Sequence, residues 1–264
     1  MCGARLSTTT LSVFHPTVSD CHSEASLVTL HETVAIIPAR WESTRLPGKV
    51  LADLDGRPML QWVWELCRRA GLSRVVIATD SERVAVTARA FGAEVAMTGP
   101  CDSGTDRVAR VAARLGATWV LGVQADEPLL DPEVLRALVR TLHGTAAELV
   151  TPMCPVTPEE VDDPHVVKCE AAPDGRALWF DRYRSGTHRH LGIYGWRSVS
   201  LARFSDLPQH PEELRLRLEQ LRALHAGMDV RLVEVAPQPP GVDTPHDLAR
   251  VREQLRSCTT PLPG

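Results

Sequence analysis

Lysine is almost missing from this chain. Lys49 and Lys168 are the only two among 29 basic residues, and the others are arginines. A GC-rich genome accounts for the skew, and against so bare a background any role of Lys49 stands out. A basic excess is missing as well. Acidic residues number 33 and the net charge is -4, which argues against a general nucleic-acid or anionic-membrane binder. No apolar run approaches the roughly 18 to 20 residues of a membrane span. Cys-x-x-Cys does not occur, and the 7 cysteines are odd in number and irregular in spacing. Neither a disulfide framework nor a structural zinc site is therefore expected, and reduced thiols in a cytoplasmic protein are the default. Residues 1–31 lack the apolar stretch and basic start of a secretory leader. They read as a flexible extension outside the function, or as an overcalled start, and residues 257–264 as a tail.

What is present is the composition of an ordinary globular protein, 264 residues with 44% hydrophobic content. From Thr33 the pattern alternates. A β-branched run over 33–38 precedes a helix over 58–70. Strands follow over 74–79, 93–97 and 118–123, with helices over 82–91 and 105–115 between them and another starting near Pro132. That rhythm predicts an α/β fold with a largely parallel sheet covered by helices on both faces. After Leu142 the rhythm breaks. Strands are expected over 148–156, 165–170, 177–180 and 190–196, a helix over 214–226, a strand over 230–235 and a last helix over 244–255. With no Ser/Gly linker and no internal repeat, the second half reads as a smaller strand-rich lobe on the same sheet.

Ligands of open α/β sheets sit beyond the carboxyl ends of the strands, so those loops are the places to search. The first, from Ala39 to Lys49, carries Arg40, Arg45 and Lys49 with Pro47 and Gly48 as turn residues. Three cations plus free backbone N–H groups suit a polyphosphate, and a solvated surface loop explains the charge equally well. Neither the Gly-x-Gly-x-x-Gly fingerprint nor a P-loop is present. The loop Gln124-Ala-Asp-Glu-Pro128 places Asp126 at a strand end, which suits Mg²⁺ between protein and phosphates; an acidic turn capping the next helix is the plain alternative. Near the end, Thr244 as N-cap, Pro245 at the first helical position and Asp247 make a good helix start. That role leaves Asp243 unexplained and available as a second metal ligand.

These loops, in this order, resemble the cytidylyltransferase family typified by CMP-Kdo synthetase (3-deoxy-manno-octulosonate cytidylyltransferase). The matching strings are Ile37-Pro-Ala-Arg-Trp-Glu-Ser-Thr-Arg-Leu-Pro-Gly-Lys49, Ala78-Thr-Asp80, Ser103-Gly-Thr-Asp-Arg107 and Gln124-Ala-Asp-Glu-Pro128, then Arg189-His-Leu-Gly-Ile-Tyr194, Leu218-Glu-Gln-Leu-Arg222 and Gly241-Val-Asp-Thr-Pro245. The resemblance runs from about Val34 to Leu255. It implies a Rossmann-like nucleotidyltransferase fold over 32–256, with a nucleotide part at about 32–145, an acceptor and dimerisation lobe at about 146–240, and a closing metal loop and helix at 241–256. It implies CMP transfer from CTP to an acidic acceptor with pyrophosphate release, in a homodimer. Arg40, Arg45, Lys49 and Asp126 would carry catalysis. Ala39, Thr79, Asp80, Ser103, Gly104, Arg107 and Gln124 would complete the nucleotide site, and Asp126 and Asp243 would hold Mg²⁺. The acceptor would meet Gln124, His190, Tyr194, Glu219 and Gln220. Half-buried strand packing for His190 and Tyr194, and a solvated helix face for Glu219 and Gln220, are the readings without the family. His188 and His190 form a His-x-His pair with no third ligand in view, so a transition metal is not expected there.

Three departures stand out. Ala125 replaces the family's usual glycine. Cys101 or Asp102 stands where a histidine is common. The stretch after Asp181 is short and rich in Arg182, Arg184, His188, Arg189 and His190. That charge density suits a small phosphonate acceptor as well as a Kdo-type sugar acid. A nucleotide-binding homologue without catalysis is an alternative. A nucleotide-sugar-dependent glycosyltransferase is another, although an Asp-x-Asp motif is missing.

Overall fold

The computed structural model of the chain describes residues 29–42 and 46–259. Most of the expected extension, the end of the tail and Arg45 lie outside the described residues. The strands are β1 (Thr33–Pro38), β2 (Asp53–Leu54), β3 (Arg57–Pro58), β4 (Arg74–Thr79), β5 (Glu94–Met97), β6 (Trp119–Gly122), β7 (Leu149–Pro155), β8 (Lys168–Ala171), β9 (Ala177–Asp181), β10 (His188–His190), β11 (Tyr194–Arg197) and β12 (Val230–Glu234). The helices are α1 (Met59–Arg69), α2 (Glu82–Ala90), α3 (Gly104–Leu115), α4 (Pro132–Gly144), α5 (Ser198–Asp206), α6 (Pro211–Leu216), α7 (Gln220–His225) and α8 (Pro245–Thr259).

Ten strands form one sheet in the order β5-β4-β1-β6-β11-β7-β10-β8-β9, with β12 pairing β7. Strands β5, β4, β1 and β6 are mutually parallel. Strand β11 turns antiparallel against β6, and the second half continues mostly antiparallel. The second lobe is thus an extension of the first sheet, as its patterning suggested. Residues of β1 are buried on both faces. Ala35 and Ile37 enter one apolar cluster with Leu60, Val63, Leu135 and Leu138, while Val34 and Ile36 enter another with Val108, Val111 and Leu201. This is the period-two division of a doubly covered strand. Helices start at side-chain caps. Ser81 and Ser103 accept the backbone N–H groups of Val84 and Asp106, and Asp131 caps α4 ahead of Pro132.

Two expectations need correction, and one helix was not expected. The run 190–196 is two strands. Leu191 to Ile193 cross between them, with the Leu191 N–H on Pro152 O (3.1 Å) and the Ile193 N–H on Leu191 O (2.8 Å). The crossing lets β10 pair with β7 and β8 while β11 pairs with β6 and β7. The helix expected over 214–226 is α6 and α7, broken where Arg217 adopts a left-handed conformation (φ 55°). Helix α5 escaped the reading because Ser198, Val199 and Ser200 are weak helix formers; its burial of Leu201 and Phe204 holds it.

Candidate active site

Loops leaving the carboxyl ends of β1 and β6 face each other across a cleft of about 570 Å³ lined by Pro38, Arg40, Trp41, Lys49, Gln124, Asp126 and Asp243 among others. Lys49 reaches its floor because Gly48 can take φ +69°. A Cβ there would lie 2.5 Å from the Trp41 ring, so only glycine lets the chain turn beneath the indole. The Gly48 N–H also bonds Trp41 O (3.2 Å), and the Lys49 N–H bonds Leu46 O (3.0 Å). Trp41 is in turn covered by the Arg83 guanidinium, 4.2 Å from the ring centroid.

The Lys49 ammonium donates to Asp126 Oδ2 at 2.7 Å and to Asp243 Oδ1 at 3.0 Å. Three residues remote in sequence therefore converge on one point. The two aspartate loops are tied independently, because the Val242 N–H bonds Asp126 O at 2.9 Å. Asp247 fixes the outer loop further, its Oδ2 accepting the N–H groups of Asp243 (3.1 Å) and Thr244 (2.9 Å). Burial works to lower the Lys49 pKa, but Asp126 and Asp243 outweigh it and hold the ammonium above its ordinary value. Glu127, beside them, was not anticipated. Burial first, then the charge of Asp126, pushes its carboxyl up to about 8 against the opposing pull of Arg189. Its only sequence signal was its place inside the Gln124–Pro128 string.

The other expected nucleotide residues divide. Ala39 is buried, its N–H on Ala78 O. Arg40 is exposed at the mouth of the cleft. Gly104 opens α3 against Pro38, with room for a Cβ 4.0 Å from Gln124 Nε2, and Ser103 is occupied as the α3 cap. Thr79 is buried with its Oγ1 on the Ser81 N–H. Arg107 is 3% exposed and donates to Asp80 Oδ2 at 2.6 Å and to Thr98 Oγ1, so Asp80 and Arg107 brace one another and neither lines the cleft. Ala125 lines the cleft, and its methyl joins the apolar core.

Between β7, β10, β11 and α7, where the acceptor was expected, a polar chain forms. Thr151 Oγ1 has one hydrogen, spent on Ile193 O (2.8 Å), so it accepts from His190 Nε2 at 2.7 Å. His190 Nδ1 is then the acceptor facing Gln220 Nε2 (3.4 Å), and Gln220 Oε1 accepts the Tyr194 hydroxyl (3.2 Å). Glu219 accepts from Thr105 Oγ1 at 2.7 Å. Burial raises the carboxyl of Glu219, and burial again raises the Tyr194 phenol. The contact with Thr151 was legible only as a polar residue inside the buried run Leu149–Cys154. Every member of the chain is satisfied by a neutral imidazole, and burial with the nearby Arg182 drives His190 down to about 3.

A pH test follows from that value. An unfolded histidine titrates near 6.5, so between pH 6.5 and 3 the unfolded chain takes up a proton that the fold refuses. This contribution to stability is intact above pH 6.5 and is lost as pH falls. By pH 5 the loss is about 2 kcal/mol. Urea midpoints at pH 7 and pH 5 should differ more in the wild type than in His190→Asn; equal differences would remove His190 from the acid limb.

Of the three arginines expected on the acceptor, Arg184 and Arg189 turn away from the His190–Gln220 chain, while Arg182 stays close enough to act on His190 and Tyr194. Arg182 Nε donates to Leu216 O (2.8 Å) and Nη1 to His165 O (3.1 Å). Arg184 lies exposed over Trp179, 4.0 Å from its ring centroid. Arg189 donates to the carbonyls of Gln238 and Pro239 and pairs with Glu160 (3.4 Å). Side-chain direction, invisible in composition, takes them to backbone carbonyls and the outer surface. His188 faces Glu234. Elsewhere His210, Glu212 and His225 gather, but they are engaged with one another: the Glu212 N–H is on His210 Nδ1, and His225 Nε2 lies 2.7 Å from Glu212 Oε2. Among the described residues no helix is long and apolar enough to cross a membrane.

The family model described as cytidylyltransferase matches residues 34–230. The 3-deoxy-manno-octulosonate cytidylyltransferase of Geobacter sulfurreducens is 41% identical over 246 residues, covering 84% of this chain and 98% of its own. The enzyme of the same name from Agrobacterium fabrum is 42% identical over 243 residues, covering 86% and 97%. A solved structure of CMP:2-keto-3-deoxy-manno-octonic acid synthetase complexed with CTP superposes with a TM-score of 0.82 at 36% identity, covering 85% of this chain and 98% of that one. With the cleft and its loops in the order that the motifs set, the chain belongs to the cytidylyltransferase family and is a nucleotidyltransferase of the CMP-Kdo synthetase type.

Proposed function

We propose that the chain transfers CMP from CTP to a Kdo-type 2-keto sugar acid, releasing pyrophosphate, with Mg²⁺ as cofactor. The observation that carries this reading is the meeting of Lys49, Asp126 and Asp243 on the cleft floor. Arg40 at the mouth and Lys49 below present positive charge to a triphosphate, above all to the pyrophosphate on which charge develops as it leaves. Arg45 belongs to the same cationic loop. The acceptor's attacking oxygen comes from the side of Gln124, His190 and Tyr194, and positioning supplies the rate without a covalent intermediate.

The donors suit a hard dication. Two carboxylates from separately tied loops already share one cation at 2.7 and 3.0 Å, and oxygen-only donors are what Mg²⁺ takes. Asp126 and Asp243 would hold Mg²⁺, which would supply charge neutralisation and orientation at the α-phosphate.

The sugar acid is supported by the names of the relatives and by the neutral hydrogen-bonding chain of Thr151, His190, Gln220 and Tyr194, which suits hydroxyl groups. The phosphonate reading leaned on the density of Arg182, Arg184 and Arg189, and of these Arg184 and Arg189 have their observed partners away from that chain. A homodimer in the cytoplasm is part of the same proposal. The test offers CTP, Mg²⁺ and a panel of sugar acids and phosphonates and measures pyrophosphate. Release with a Kdo-type acid is expected. Release with phosphonates alone would replace the acceptor, and none at all from a CTP-loaded protein would overturn both.

A further inference from the structure

Lys49 is tied to the two aspartates more closely than an amine waiting for phosphate needs to be. Its side chain is 12% exposed, and one ammonium spans Asp126 Oδ2 and Asp243 Oδ1. We propose that Lys49 is a placeholder cation, occupying the seat between the aspartates and barring a divalent metal until a nucleoside triphosphate draws it away. Nucleotide then enters before the metal or together with it. This inference rests on the CTP and Mg²⁺ reading above.

Two facts make the seat exclusive. A dication bound to both carboxylates sits about 2.0 to 2.1 Å from each oxygen. The ammonium, at 2.7 and 3.0 Å from the same oxygens, fills that space and repels a second positive charge. The aspartates also have little freedom to separate and take one cation each. The Val242 N–H holds Asp126 O, and Gly241 packs so closely on Glu127 that a Cβ would stand 3.0 Å from Oε1 and 3.1 Å from Asp126 O.

What can move is the lysine stem. Its backbone is fixed by Gly48 and by the Lys49 N–H bond to Leu46 O, whereas its four-carbon chain rotates freely once its charge has another partner. The cleft above, bounded by Arg40, Trp41 and Gln124, is where a triphosphate would offer that partner. The carboxylate pair is thus never without a cation: the ammonium serves the empty protein, the metal the loaded one. Binding of nucleotide and metal is coupled, and the coupling is reciprocal.

Mn²⁺ is the probe, followed as loss of the free-ion electron paramagnetic resonance signal, with full-length wild type and Lys49→Met. Without nucleotide, Lys49→Met should bind one Mn²⁺ on the order of tenfold more tightly than wild type, or more. Mn²⁺ should also raise the melting temperature of Lys49→Met, whose aspartates have lost the ammonium, more than that of wild type. With CTP and no acceptor, wild type should bind Mn²⁺ tightly. If Lys49→Met binds Mn²⁺ no better than wild type while CTP-loaded wild type binds it well, the placeholder is overturned and the proposed function stands. If wild type binds no Mn²⁺ even with CTP, the metal reading fails and takes the placeholder with it.

Discussion

Asp126→Asn should cut pyrophosphate release by on the order of a thousandfold, equivalent to about 4 kcal/mol of barrier, while weakening CTP binding only severalfold. The substitution preserves shape. It leaves the backbone bond from the Val242 N–H to Asp126 O and the helix start at Thr244 intact, so the two loops stay together. What it removes is one negative charge at the point where Lys49 and Asp243 meet. The Lys49 ammonium loses the negative charge of its 2.7 Å partner and keeps that of Asp243 at 3.0 Å. On the proposed reading Arg40 and Lys49 would still attract the triphosphate, so affinity should survive better than turnover. The lost charge, on the same reading, would hold Mg²⁺ at the reacting phosphate, so the effect belongs in kcat rather than in the KM for CTP. Turnover kinetics with calorimetric CTP binding separate the two, and a variant that turns over normally would dismiss Asp126 from the chemistry.

The placement of those three residues also shows what the sequence disclosed. Strand β1 and its cationic loop were legible because a doubly buried strand leaves an unbroken β-branched run and because Gly48-Lys49 follows a turn. Nothing in spacing brings Asp243 to Asp126, since the ordering of the second lobe intervenes; the family resemblance carried that step. The helix start at Thr244 is local and was legible from its cap residues, whereas the caps at Ser81 and Ser103 were not singled out. The break at Arg217 was hidden because arginine is an ordinary helix former, and only tertiary packing of Leu216 and Leu218 rewards the left-handed turn. The arginines near β9 and β10 were legible as charge and illegible as direction. Arg189 sits on a strand whose alternation sends its neighbour His190 towards Gln220 and the guanidinium itself to Gln238 and Pro239.

Breaking the buried pair between Glu213 and Arg222 should have the largest effect on stability. Their side chains are 6% and 5% exposed, and Arg222 grips the carboxylate with Nε and Nη2 at once, the Nε contacts being 3.0 and 3.2 Å. Glu213 Oε2 also accepts the His210 N–H that starts α6, and the Arg222 guanidinium lies 4.5 Å over the Phe204 ring. Arg222→Leu strands a carboxylate among apolar side chains, which costs about 3 to 5 kcal/mol. Glu213→Leu with Arg222→Leu removes both charges and should recover most of that loss, because what is expensive is the unpaired ion. Urea denaturation of the two single variants and the double variant gives the coupling directly. The functional consequence follows from position. Arg222 lies two residues beyond Gln220, whose amide joins Tyr194 to His190, and Glu219 reaches back to Thr105. Loosening the junction of α6 and α7 displaces these groups and leaves Lys49, Asp126 and Asp243 in place. The KM for the acceptor should therefore rise in Arg222→Leu at temperatures where the variant is folded, with the KM for CTP nearly constant. A rise confined to CTP would mean that α7 serves the nucleotide instead.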